Sequence, residues 1–217
     1  YSFIDIKNYL IRGEFSPLDE TEIGKERFPI ITSRGCPFRC SFCYRSREND
    51  RKMHYASVDK VIAYVKYLVD TYGMNYLSFY DDQFLFNKKR AKEIFRLLEP
   101  FHLRVELQQG ASVAFIDEEM AYLMSKAGVK RIVMSIESGS QYVLHKMVDK
   151  PVNLDKTKDV VKYLRKYGIW ATAAFVMGFP GELDEHREET LKWIKEAGLD
   201  WSSFSAAVPI RGTKLYD

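Results

Sequence analysis

The stretch Gly35-Cys36-Pro37-Phe38-Arg39-Cys40-Ser41-Phe42-Cys43 holds all three cysteines of the chain in a C-x3-C-x2-C spacing. A closed iron–sulfur cluster or a structural zinc site takes four protein ligands. Three thiols with no fourth therefore leave one metal position open for something the protein binds. The compact spacing suits a four-iron cluster with one open iron. The other readings are a zinc site completed by His54 or a carboxylate, and three inert thiols. Zinc sites usually pair their ligands in two knuckles, and this stretch has one group only. An odd number of clustered thiols makes no disulfide framework and suits a reducing compartment, so the expectation is a cytoplasmic, oxygen-sensitive site.

Outward from this loop, short β-rich runs alternate with amphipathic helical patterns, the signature of βα units on a parallel sheet. The predicted strands are Phe28 to Thr32, Tyr76 to Tyr80, Arg104 to Gln108, Arg131 to Ile136, Trp170 to Met177 and Ser202 to Val208. The first predicted helix, Ser57 to Tyr72, sets Val58, Val61, Ile62, Val65, Leu68 and Val69 on one face, with Ser57 as N-cap and Gly73 as the stop. Lys88 to Leu98, Asp117 to Ala127, Asn153 to Tyr167 and Asp184 to Ala197 repeat the pattern, and Gly128, Gly168 and Gly198 end three of them. Six strands and five helices with right-handed crossovers give an α/β fold, a partial (β/α)6 TIM-like barrel with its sites at the C-terminal ends of the strands. The cysteine loop follows the first strand directly.

The 217 residues, 46% of them hydrophobic, can bury one full core. The 33 basic and 30 acidic residues leave a net charge of only +3, without the cationic excess of a dedicated nucleic-acid or membrane-surface binder. No stretch approaches the ~18 uninterrupted apolar residues of a membrane span. Residues 1–27 read as a leading segment or linker from a preceding domain and residues 28–217 as the core, with further chain expected on its C-terminal side. Arg34, Arg39, Arg45, Arg47, Arg51 and Lys52 form a basic run broken by Glu48 and Asp50. It reads either as a charged loop face or as compensation for an anionic cluster or substrate. Tyr55, Tyr64, Tyr67 and Tyr72 read as packing and an amphipathic rim rather than a base-stacking platform.

The cysteine spacing, the aromatic Phe42 before Cys43 and the six βα units together resemble the radical S-adenosylmethionine (SAM) superfamily, from Phe28 to about Asp217. The resemblance implies a [4Fe–4S] cluster on Cys36, Cys40 and Cys43, its open iron chelated by the methionine part of SAM. One electron then cleaves the sulfonium, and the resulting 5′-deoxyadenosyl radical abstracts a hydrogen atom. Phe42 would lie beside the adenine and Tyr44 would offer backbone contact to it. Phe79-Tyr80-Asp81-Asp82-Gln83-Phe84 departs from the family's Gly-Gly-Glu motif after the second strand, so Asp81 or Asp82 would receive the methionine ammonium; capping the next helix is the alternative. Gln108 follows the third strand at a varied polar position that touches cofactor or substrate. Ser135-Ile136-Glu137-Ser138-Gly139-Ser140 is similar to the G-x-E-S-G-S stretch of cobalamin-binding and methylthiotransferase-like members, with Ser135 in place of the usual Gly. It implies cofactor contacts for Glu137, which would face the ribose or methionine end, and for Ser138. Lys150 stands where relatives place a basic residue near the cofactor carboxylate. Val176-Met177-Gly178-Phe179-Pro180-Gly181-Glu182 matches the G-x-P-G-E turn, where Met177 and Gly178 would flank the adenine. Pro209-Ile210-Arg211-Gly212-Thr213-Lys214-Leu215-Tyr216 is similar to the closing P-x-x-G-T-x-L-Y segment.

The motifs fit best the subgroup carrying an N-terminal cobalamin-binding domain, with cobalamin on a domain outside this stretch. Methyl transfer, ring formation or another rearrangement would be the reaction. Its substrate would be a small molecule or a peptide, and a flavodoxin or ferredoxin would supply the electron. Methylthiolation is the alternative within the superfamily. A non-catalytic electron-transfer protein or a zinc-stabilised module is the alternative outside it, and electron carriers favour closed four-cysteine clusters.

Overall fold

The computed structural model describes residues 27–44 and 52–217. The leading segment up to residue 26, and Arg45, Arg47, Glu48, Asp50 and Arg51 of the basic run, lie outside the described residues. Among the described residues, eight strands and five α-helices follow in chain order: β1 (Arg27–Ile30), β2 (Ser33–Arg34), β3 (His54–Tyr55), α1 (Val58–Tyr72), β4 (Tyr76–Phe79), α2 (Lys88–Leu98), β5 (Arg104–Leu107), α3 (Glu118–Lys126), β6 (Arg131–Glu137), α4 (Leu154–Lys166), β7 (Trp170–Met177), α5 (Asp184–Ala197) and β8 (Trp201–Ala206). A π-helix, Val143–Val148, follows β6. Arg27 opens β1, one residue before the expected start of the first strand.

Strands β1, β4 and β5 form one parallel ladder and β6, β7 and β8 another. Isolated parallel bridges, Val105 to Val129 and Ala111 to Met134, sew the two together between β5 and β6. The spatial order of the six long strands is therefore their chain order, as consecutive right-handed βα units require. Among the described residues β1 and β8 form no ladder with each other, so the architecture is an open, partial barrel and not a closed TIM barrel.

Alternation along the strands gives the sheet two unlike faces. Phe28, Ile30, Leu77, Phe79, Val105, Leu107, Ile132, Met134, Ala173 and Phe175 share one core with the apolar stripes of the helices, including Val65 and Leu68 of α1, Phe95 of α2 and Leu164 of α4. The other face carries a buried polar network. Arg27 donates to Ser78 (3.0 Å), to Glu106 (2.6 Å) and to Gln108, while Tyr76 (2.9 Å) and Arg131 (2.9 Å) also donate to Glu106. A buried carboxylate is tolerated because it is paired and hydrogen-bonded. Burial, followed by the adjacent Glu106 charge, pushes the Tyr76 hydroxyl pKa up.

The helix boundaries follow local chemistry. Asn87, Asp117 and Asn153 cap α2, α3 and α4 through bonds accepted from Arg90 N (3.1 Å), Met120 N (2.8 Å) and Lys156 N (2.9 Å). Gly73 closes α1 in the left-handed region, its amide donating to Leu68 O and Val69 O. Ser57 holds the N-cap position of α1, but its side chain makes no capping bond. Two elements were not expected. The β2–β3 hairpin closes the base of the cysteine loop, and the π-helix stands between β6 and α4. Tyr64 stacks on Tyr67 at 6.3 Å and Tyr67 meets Tyr72 edge-on, the expected aromatic rim of α1.

Candidate functional site

The cysteine loop leaves the sheet at the end of β1 and is fastened at its base. Asp81, which follows β4 and is 2% exposed, accepts from Thr32 N (3.1 Å), Thr32 Oγ1 (2.8 Å) and Ser33 Oγ (2.5 Å). Arg90 of α2 donates to Thr32 O and to Ala56 O, both at 3.1 Å. The loop then passes its own returning strand at Gly35, where φ is +106° and a Cβ would stand 2.2 Å from Lys52 O, so only glycine fits.

None of the three thiols is held in a disulfide among the described residues, and they are close enough to feel one another. Burial pushes the Cys40 thiol up to about 12; the Lys150 ammonium pulls it partway back, and Glu137 and the other two cysteines oppose that pull. Burial also raises Cys36, which feels Cys43 and Asp82 as well. The loop therefore lies against the ends of two other strands, Asp82 just after β4 and Glu137, the last residue of β6, with its partner Lys150. Lys150 Nζ reaches Glu137 Oε1 at 2.7 Å and Ser135 O at 2.6 Å, and both side chains are buried. Glu137 sits at an irregularity in the β6–β7 register with φ +73°. A left-handed non-glycine conformation is strained and collects at functional positions; here it places the carboxylate beside the cysteine loop.

The expected site residues divide into three groups. Cys36, Cys40, Cys43, Asp82, Glu137 and Lys150 come together, and Phe42 packs against Phe179 at 5.9 Å between ring centres. Asp82 accepts from Gly35 N at 3.4 Å. Met177 ends β7 half-buried, Gly178 follows it exposed with φ +86°, and Tyr44 is exposed. The side chains of three other residues are spent on packing. Asp81 holds the loop base, Gln108 joins the Arg27 network, and Ser138 turns its hydroxyl to Thr190 of α5 (3.2 Å) and the Ser140 amide (3.1 Å).

Glu182 was missed as a functional side chain, although the turn that contains it stood out. Its Oε2 accepts from Gly178 N and from Phe179 N (3.2 Å), which sets the bend after β7 and the ring that meets Phe42. Its Oε1 is buried with no partner, and so is Ser140 Oγ after β6. An unsatisfied buried oxygen costs about 1–3 kcal/mol, and a bound molecule with hydroxyl or ammonium donors would remove that cost. The donor set, three mutually close thiols beside the buried Glu137–Lys150 pair, fits an iron–sulfur cluster and a polar cofactor such as SAM. Among the described residues no three His, Cys, Asp or Glu side chains are arranged to hold a single metal ion. His54, the completing ligand in the zinc reading, is exposed on β3 opposite Arg34.

A family model described as the radical SAM superfamily matches residues 30–194. The chain belongs to the radical SAM superfamily. This radical SAM core is 33% identical over 202 residues to the uncharacterized methyltransferase PH0819 of Pyrococcus horikoshii, covering 93% of this chain and 44% of that protein. It is 33% identical over 199 residues to the cytidylyl-2-hydroxyethylphosphonate methyltransferase of Streptomyces wedmorensis, covering 89% of the chain and 37% of that protein. The chain thus spans less than half the length of either relative. The structure of TsrM from Kitasatospora setae, a radical SAM methyltransferase with cobalamin and a [4Fe–4S] cluster bound, superposes with a TM-score of 0.77 at 19% identity, over 88% of this chain and 38% of that one. The cobalamin-dependent SAM radical enzyme OxsB gives 0.65 at 18% identity, over 76% and 26%. At these identities the structural likeness is one of fold. The chain is a radical SAM enzyme, and no helix among its described residues is long and apolar enough to cross a membrane.

Proposed function

We propose that residues 28–217 are the SAM-binding core of a cobalamin-using methyltransferase, with residues 1–27 as the connection from a cobalamin domain. The observation that carries the reading is the buried Glu137–Lys150 pair set against the three-thiol loop at the C-terminal edge of the sheet. The two relatives at 33% identity, both named methyltransferases, support the choice of reaction. Cys36, Cys40 and Cys43 would each hold one iron. When bound, the reduced cluster and SAM supply a one-electron cleavage of a carbon–sulfur bond, chemistry that belongs to the cofactor.

The chain's own residues bind, orient and exclude water. Asp82 would accept the ammonium of the methionine moiety, since Asp81 already holds the loop base. Glu137 accepts from hydroxyl or ammonium groups with its remaining lone pairs, while Lys150 keeps that buried carboxylate paired. Phe42 and Phe179 supply an apolar wall, and Glu182 holds the turn that carries Gly178. A small molecule or a peptide would be the substrate, a flavodoxin or ferredoxin the electron donor, and the cytoplasm the compartment.

Anaerobic reconstitution tests the reading. The expected result is about four irons per chain, an electron paramagnetic resonance signal that changes when SAM is added, and 5′-deoxyadenosine once reductant is supplied. Cys40→Ala abolishes all three. One zinc and no iron in the wild-type chain would sink the reading. Formation of S-adenosylhomocysteine by the full-length protein, dependent on added cobalamin, would mark methyl transfer; its absence with 5′-deoxyadenosine still formed would favour ring formation.

A further inference from the structure

The geometry points to Ser41 as the positioning residue that locks the tip of the cysteine loop, and to the closing segment Pro209–Tyr216 as the strap that completes the lock. This rests on the cluster reading above. Ser41 lies between the second and third cysteines and is 4% exposed. Each of its polar backbone and side-chain groups is committed to a different site. The hydroxyl donates to Met147 O at 2.6 Å, the amide donates to Val148 O at 2.9 Å, and the carbonyl accepts from Leu215 N at 2.9 Å.

The two carbonyls that Ser41 satisfies end the π-helix, where a helix has no following amides of its own to fill them. A π-helix is uncommon and widens the turn; here the wide turn presents adjacent carbonyls to one serine. Beneath this joint lies a small apolar core, distinct from the one under the sheet, built of Val143, Val148 and Phe179 with Phe42, Met147 and Leu215 packed against it. The loop base is thus tied to the main sheet through Asp81 and Arg90, and its tip to a separate miniature core through Ser41. Slackening the tip would let Cys40 and Cys43 move relative to Cys36 while the main core stays intact.

The test measures iron release from the reconstituted full chain to a strong chelator, under anaerobic conditions, beside thermal unfolding of the same chain without iron. Loss of one buried hydrogen bond should speed release about fivefold. Ser41→Ala and Leu215→Pro, the latter deleting the amide donor of the strap, are each expected to show that acceleration and an altered paramagnetic signal of the reduced cluster. The unfolding midpoint of the iron-free chain should fall by no more than the loss of one hydrogen bond accounts for, and Ser41→Thr should restore both the midpoint and the wild-type release rate. Wild-type release in both Ser41→Ala and Leu215→Pro overturns the lock. So does acceleration in Ser41→Ala matched by a drop in iron-free stability that Ser41→Thr does not rescue. A wild-type chain that takes up no iron overturns the cluster reading itself, and the lock with it.

Discussion

Asp81 points into the base of the cysteine loop and Asp82 toward its first thiol, so two adjacent carboxylates serve different parts of the molecule. Asp81 accepts from two hydroxyls and an amide in a site 2% exposed to solvent. Asp81→Ala would leave those donors buried and unpaired, at a cost of about 3 kcal/mol, read as a lower denaturation midpoint of the chain without iron. Asp82→Ala is expected to leave that midpoint within about 1 kcal/mol of wild type and to weaken SAM binding to the reconstituted protein at least tenfold. Equal destabilisation by the two changes would contradict this division. The pattern of an Asp pair after a strand was legible in the sequence; its division was not, because Thr32 and Ser33 lie about fifty positions away from Asp81 and no local pattern records which carboxylate meets them.

At the scale of elements, α2 and α3 are joined through one helix cap. Asp117 caps α3 and also takes Lys88 (2.5 Å) and Lys92 (2.9 Å) from α2. Burial opposes ionisation, yet the two lysines and the Met120 amide outweigh it and hold the carboxyl at about 2, below its ordinary 3.8. A depressed carboxylate stabilises the fold fully above its unfolded value, and that contribution fades as the pH falls through the folded one. Asp117→Asn keeps the cap but loses the ion pairs. The variant should melt below wild type at pH 6, by about 0.5–1 kcal/mol given the exposure of these side chains. Melting curves of the two proteins should converge between about pH 5 and pH 1; an undiminished difference at about pH 1 would show that the ion pairs are not its source. The α2 range came directly from apolar spacing, since a helix of this length repeats its period several times. The six-residue π-helix repeats no period and left no such trace.

Across the whole molecule the weak point is the seam between the two three-stranded ladders. There Val105 N donates to Gly128 O at 3.2 Å, and Gly128 has φ +97° with a Cβ position 1.9 Å from Leu103 O. Gly128→Ala combines a left-handed alanine with a steric overlap, so a loss of about 3 kcal/mol is expected, measured by denaturant unfolding. A loss below about 1 kcal/mol would mean that the seam can give way locally. The seam matters to the site because the loop base hangs from one ladder while Glu137 ends β6 of the other and Lys150 follows it. Their approach to Cys40 depends on both ladders staying in register.

By itself the sequence determined the number of βα units, the apolar stripes, most helix ends and the cysteine loop, because these depend on local periodicity, capping chemistry and the spacing of like residues. Only the tertiary structure decided the Arg27–Glu106 network, the pairing of Lys150 with Glu137, the parting of Asp81 from Asp82 and the anchorage of Ser41. Each of these joins groups far apart in the chain. Burial rewards only the partner that actually arrives with matching geometry, and no run of neighbouring residues encodes which one that is.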